Sequence, residues 1–209
     1  MGHVVLLGDS IFDNARYVPD RPAVVDQLRQ ALPRGWRATL LAVDGHITQD
    51  VANQLKDLPA DATHLVVSAG GNDALGESGI MSETVCTVGE AFGLFNQVRG
   101  RFRDSYRAML KLLGALGKPA AVCTVYDAIP ELGPAEQAAL ACFNEVILRE
   151  AFSAALPVID LRLLCDRQSD YSHVSSIEPS VAGGAKIARV IAEIATTHDF
   201  DRRRSMIYA

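Results

Sequence analysis

Five short apolar runs, separated by stretches with helical periodicity, constrain this chain more than any other feature. The runs cover residues 4–7, 38–43, 65–68, 120–125 and 158–159. Gly, Pro or Asp brackets each of them. A strand that is apolar at nearly every position is covered on both faces, as in a parallel sheet between helical layers. The intervening stretches supply those layers. Residues 23–32 carry Val24, Val25, Leu28 and Leu32 at helical spacing. Residues 50–58 follow Thr48, a fitting N-cap. Residues 88–116 place Phe95, Val98, Phe102, Met109 and Leu113 at mostly three- and four-residue steps. Residues 134–155 open on Pro134, a first-turn residue, and residues 180–197 form the last helix. Such alternation means βαβ units with right-handed crossovers. The expected fold is an α/β, three-layer α/β/α sandwich around a five-stranded parallel sheet. No repeat, low-complexity tract or linker interrupts it, so residues 1–209 read as a single domain.

Composition excludes several function classes. Of 209 residues, 49% are hydrophobic and 22% charged, and the formal net charge is -5. An acidic chain lacks the basic face that nucleic-acid binding requires. Arg202-Arg203-Arg204 lies beside Asp199 and Asp201 and reads as a solvated tail. The four cysteines, Cys86, Cys123, Cys142 and Cys165, form no CxxC pair. They read as reduced thiols, with Cys123 and Cys142 as small buried hydrophobes. No metal site is expected. No apolar run reaches the ~18 residues of a membrane span. The first strand begins at about His3, leaving no room for a secretion signal. Leu6 stands where myristoylation of Gly2 would need Ser or Thr. A cytoplasmic location is the expectation.

Open α/β sheets bind ligands at the carboxyl ends of their strands. Ser10 closes the first strand in Gly8-Asp9-Ser10, and Gly45 follows the second in Val43-Asp44-Gly45-His46. Asn72 follows the third strand, and Asp170 and His173 follow the fifth. These residue types suit ester cleavage. A serine hydroxyl needs a base to attack a carbonyl, and an imidazole is the commonest one. His173 is the candidate base. Asp170, three residues earlier, is the candidate orienter of its ring. The oxyanion needs preorganised donors, which the Ser10 and Gly45 N–H groups and the Asn72 amide supply. Asp9 reads as a structural turn former.

In these residues the chain resembles the SGNH hydrolases, the GDSL esterase/lipase group. Gly8-Asp9-Ser10-Ile11 matches the first block of that family, with Ile for the usual Leu. Gly45 matches the second, Gly71-Asn72-Asp73 the third and Asp170-x-x-His173 the fifth. Ile177-Glu178-Pro179-Ser180 with Gly183-Gly184 resembles the family's usual run into the last helix. The resemblance covers nearly the whole chain. It implies a flavodoxin-like SGNH hydrolase fold, Ser10 as nucleophile, His173 as base and Asp170 as its orienter. It also implies Ser10, Gly45 and Asn72 as the oxyanion hole, with no cofactor.

The expected reaction is hydrolysis of a small-molecule carboxylic ester through an acyl-enzyme, on short acyl groups such as acetyl esters or acetylated sugars. Lysophospholipids and thioesters are alternative substrates. A non-catalytic binding protein on the same fold is the rival of another class. A nucleotide-binding module is disfavoured, because no glycine-rich loop follows the first strand. Among the other histidines, His46 is the one rival base, and it is otherwise expected to bind substrate. Asp13 and Tyr126 are further candidates for substrate binding. Phe92, Leu94 and Phe95 suit either an acyl pocket or the core. The glycine-rich stretch 76–100 is expected to lie over the site.

Overall fold

β1 (His3–Gly8) is buried at all six positions. Its side chains divide between two cores. Val4 and Leu6 enter one, Val5 and Leu7 the other. The same division continues in the neighbouring strands, where Val66, Ala121, Cys123 and Ile159 share the first core. Leu65, Val67, Val122 and Val158 share the second. A two-residue period between two apolar layers is the physical reason for the uninterrupted runs.

The computed structural model describes residues 1–209. After β1 come α1 (Val24–Ala31), β2 (Arg37–Leu40), α2 (Val51–Gln54), β3 (His64–Ser68) and α3 (Gly71–Gly76). There follow α4 (Val88–Ala115), β4 (Ala120–Cys123), α5 (Pro134–Ser153), β5 (Val158–Ile159), α6 (Leu161–Leu164), α7 (Val181–Thr197) and β6 (Ile207–Tyr208). The sheet order is β2-β1-β3-β4-β5-β6, with every pair parallel. Helices α1 and α7 pack together over one face, and α4 and α5 over the other. The three-layer sandwich is therefore as expected.

The sheet has six strands rather than five. The sixth is formed by Ile207–Tyr208, just after the arginines read as a solvated tail. Arg202, Arg203 and Arg204 are exposed, but the chain beyond them returns to the sheet edge. Val158 N–H donates to Met206 O and Asp160 N–H to Tyr208 O, both at 2.8 Å. The Tyr208 hydroxyl also meets Nδ1 of His198 at 2.8 Å. Two strand residues carry no periodicity, so tertiary pairing alone makes this element.

Two other elements end early. β2 stops at Leu40, where the Leu41 and Ala42 N–H groups both turn onto Leu6 O. Stretch 50–58 is a short α2 between single 3-10 turns at Thr48–Asp50 and Leu55–Asp57. Thr48 does not cap it. Its N–H and hydroxyl both donate to Asp73 Oδ2, at 3.0 and 2.9 Å. All four cysteines are free thiols, and no helix is long and apolar enough to cross a membrane.

Candidate active site

Gly8 ends β1 with φ 115°, and a Cβ there would lie 1.7 Å from Ser68 O. Only glycine lets β1 and β3 approach so closely while the chain turns outward. Gln54 secures the turn from α2. Its Oε1 accepts from Gly8 N at 2.8 Å, and its Nε2 donates to Gly8 O at 2.7 Å. Asp9 N–H then donates to Ser68 O, and Asp9 Oδ1 accepts from Ile11 N. This tight turn leaves Ser10 on the rim of a cavity, 7% exposed. The Ser10 N–H makes no hydrogen bond within the protein.

The cavity occupies about 1010 Å³ including its mouth, and 15 of its 25 lining residues are hydrophobic. Ser10, Asp9, Asn72, Tyr126 and Glu178 are among its polar lining residues, with Glu77, Ser78 and Glu136. Ile80, Phe95, Val98, Val125, Leu140 and Phe143 form apolar wall. Stretch 76–100 does lie over the site, through Ile80, Met81, Phe95 and Val98. Phe95 reaches the cavity, whereas Phe92 points to solvent and is 70% exposed.

Of the oxyanion candidates, Ser10 and Asn72 line the cavity and Gly45 does not. Asn72 lines the cavity at the start of α3, and its Nδ2 donates to His46 O at 2.9 Å. That bond ties the Gly45 loop to α3. Gly45 itself is exposed with φ 84°, and its N–H has no partner within the protein.

The base and its orienter are not where the spacing put them. The segment 170–180 folds back on itself, with Tyr171 bridged to Pro179. His173 lies on the exposed tip of that fold-back, outside the cavity. Asp170 is buried at its base and points elsewhere. Its Oδ2 accepts from Lys186 Nζ at 2.7 Å and from Arg167 N at 3.1 Å. No hydrogen bond joins Asp170 to His173, or His173 to Ser10. A charged partner from α7 has claimed the carboxylate, so three-residue spacing does not produce the pair here.

Glu178 occupies the position facing Ser10. It is 3% exposed and lines the cavity. The Ser10 hydroxyl interacts with its carboxylate, yet more loosely than a closed hydrogen bond. Oε2 of Glu178 is buried and has no partner at hydrogen-bonding geometry. Burial pushes the carboxyl up to about 8, the Ser10 contact opposes this, and the charges of Asp9 and Asp44 add to it. Burial likewise raises Asp9 to about 7, against the hydrogen bond from Ile11 N and the pull of the Ser68 hydroxyl.

Three consecutive carbonyls fix the Glu178 backbone. Tyr126 Oη donates to Ile177 O at 2.6 Å, Ser172 N to Glu178 O at 2.8 Å and Asn14 Nδ2 to Pro179 O at 3.2 Å. Tyr126, expected to bind substrate, lines the cavity but spends its hydroxyl on this support. Asp13 and His46 do not line the cavity. Asp13 Oδ2 accepts from Asp44 N, and His46 Nδ1 accepts from Gln54 Nε2 at 2.9 Å. Both brace loops at the site's edge. Glu178 and Gln54 escaped assignment from sequence. The available signal for Glu178 was an acid between Ile177 and Pro179, just ahead of the last helix. No group of three or more His, Cys, Asp or Glu side chains is placed to hold a metal ion.

Solved structures of the same architecture include several lipolytic enzymes. An extracellular lipase from Streptomyces rimosus is 18% identical with a TM-score of 0.65, covering 94% of this chain and 100% of its own. An acetyl xylan esterase from Geobacillus stearothermophilus is 16% identical with a TM-score of 0.63, covering 93% of each chain. A phospholipase A1 from Streptomyces albidoflavus NA297 is 17% identical with a TM-score of 0.63, covering 94% of this chain and 99% of its own. At such identities the likeness establishes the fold. No curated protein matches the sequence. The family model described as the GDSL-like Lipase/Acylhydrolase family matches residues 6–186, and the chain belongs to that family.

Proposed function

We propose that the protein hydrolyses carboxylic esters with Ser10 as the nucleophile, through an acyl-enzyme. The observation that carries this reading is the setting of Ser10. It sits on a braced turn in a largely apolar cavity, beside Asn72 and with its own N–H unpaired. Ester carbonyl chemistry needs that combination of nucleophile and oxyanion donors. The Ser10 and Gly45 N–H groups and Asn72 Nδ2 are the donors. The apolar wall suits a hydrocarbon acyl group, and the polar rim suits the alcohol part.

The test is an ester panel of graded acyl length combined with fluorophosphonate labelling. Turnover that peaks at an acyl chain filling the cavity, with the label on Ser10, supports the reading. Ser10→Ala protein with undiminished turnover overturns it. A second reading, a binding protein on the hydrolase fold, draws on one observation: His173 and Asp170 are apart from Ser10. It requires wild-type protein that neither turns over esters nor takes the label.

A further inference from the structure

We propose that Glu178 is the general base and general acid for Ser10, in place of a histidine. The proposal rests on the reading of Ser10 as nucleophile. Its first support is position. Glu178 faces the Ser10 hydroxyl across the cavity rim, with one buried carboxylate oxygen left without a partner. A buried carboxyl oxygen is normally satisfied, so an unpaired one beside a hydroxyl is free to exchange a proton with it once ionised.

The second support is that the rival groups are engaged or placed elsewhere. His173 is exposed at the tip of its fold-back, and His46 is held by Gln54 outside the cavity. His3 pairs with Asp61 and Thr39 at the start of β1, and His198 pairs with Tyr208 at the far sheet edge. His64 begins β3, at the end of the sheet away from the site. Asp9 lines the cavity, but its Oδ1 already accepts from Ile11 N.

The third support is preorganisation. The three carbonyl bonds from Tyr126, Ser172 and Asn14 hold the backbone on both sides of Glu178. A base must be held in place before the reaction begins. Its surroundings also raise its basicity. The groups that face it are Asp9 after β1, Arg16, Tyr17 and Asp44 in the loops, and Tyr126 after β4. An ordinary carboxylate is too weak a base for a serine hydroxyl, and one raised to about 8 is better matched to work near neutral pH.

The steps balance without a co-reactant other than water. As Ser10 Oγ bonds to the carbonyl carbon, its proton passes to Glu178 and the π pair moves onto the carbonyl oxygen. The oxyanion then collapses, the bond to the alkoxy oxygen breaks, and Glu178 returns the proton to that oxygen. Water next bonds to the acyl carbon and gives its proton to Glu178. Ser10 Oγ leaves and takes that proton back.

The experiment compares wild type, Glu178→Gln, Glu178→Asp and His173→Ala on a p-nitrophenyl ester across pH 5 to 10. Thermal unfolding confirms that each variant is folded. Glu178→Gln is expected to lose about 10²- to 10⁴-fold in kcat, with His173→Ala within about threefold of wild type. Wild-type kcat/KM should climb to a plateau above about pH 8, and Glu178→Gln should lack that limb. Glu178→Asp should keep the limb at reduced kcat. Loss of activity in His173→Ala, with Glu178→Gln still active, overturns the role of Glu178 and leaves Ser10 standing. Wild-type protein with neither turnover nor Ser10 labelling overturns both.

Discussion

The Ser10 hydroxyl faces the Glu178 carboxylate, while His173, five residues earlier on the same fold-back, points to solvent. The chain thus delivers an acid, not an imidazole, to the end of β1. Tyr126 helps to hold that acid, through its 2.6 Å hydrogen bond to Ile177 O.

Removing the Ser10 hydroxyl should leave binding without turnover. Ser10→Ala is expected to lower kcat by about 10⁴ to 10⁶, and Asn72→Ala by about 10² to 10³. Steady-state kinetics on a p-nitrophenyl ester measure both. An Asn72→Ala enzyme of wild-type kcat would remove Asn72 from the oxyanion hole.

Glu178 should make the fold less stable in alkaline solution. In the folded chain it holds its proton to about pH 8, against an ordinary 4.5. The folded state therefore binds the proton more tightly. The resulting stability is full below about pH 4.5 and is lost as pH rises through about 8. Asp9, raised to about 7, adds to the same trend. Glu178→Gln removes the titration and should be more stable than wild type at pH 9, on the order of 1–3 kcal/mol. Urea midpoints at pH 5, 7 and 9 read the difference, and parallel pH profiles would contradict it.

Gly8 tolerates no side chain. Its φ of 115° and the 1.7 Å approach of a Cβ to Ser68 O force the strands apart in Gly8→Ala. The expected cost exceeds about 3 kcal/mol. Gly76→Ala, where a Cβ meets nothing within 4 Å, is the control and should unfold near the wild-type temperature.

Tyr126→Phe should act on both stability and rate. It strands the Ile177 carbonyl, at about 1–2 kcal/mol. It also loosens the peptide preceding Glu178, so kcat should fall several-fold with KM little changed. A raised KM at constant kcat would make Tyr126 a substrate contact instead.

The amino-acid order alone determined the layered α/β architecture, because strands buried on both faces must be apolar throughout and their helices must carry apolar stripes. It also determined Ser10 and Asn72, because each follows a recognisable strand directly and inherits its position from the sheet. Local pattern had no hold on β6, whose two residues exist as a strand only by pairing with β5. Nor did it settle which side chain faces Ser10. Asp170 and His173 have the spacing of a pair, but Lys186 arrives from α7 to take the carboxylate, and the Tyr171–Pro179 bridge turns the histidine outward. That competition is between residues far apart in the chain, and only the packed tertiary structure decides it. The same packing buries Glu178 beside Ser10 and raises its proton affinity, a property that no run of neighbouring letters encodes.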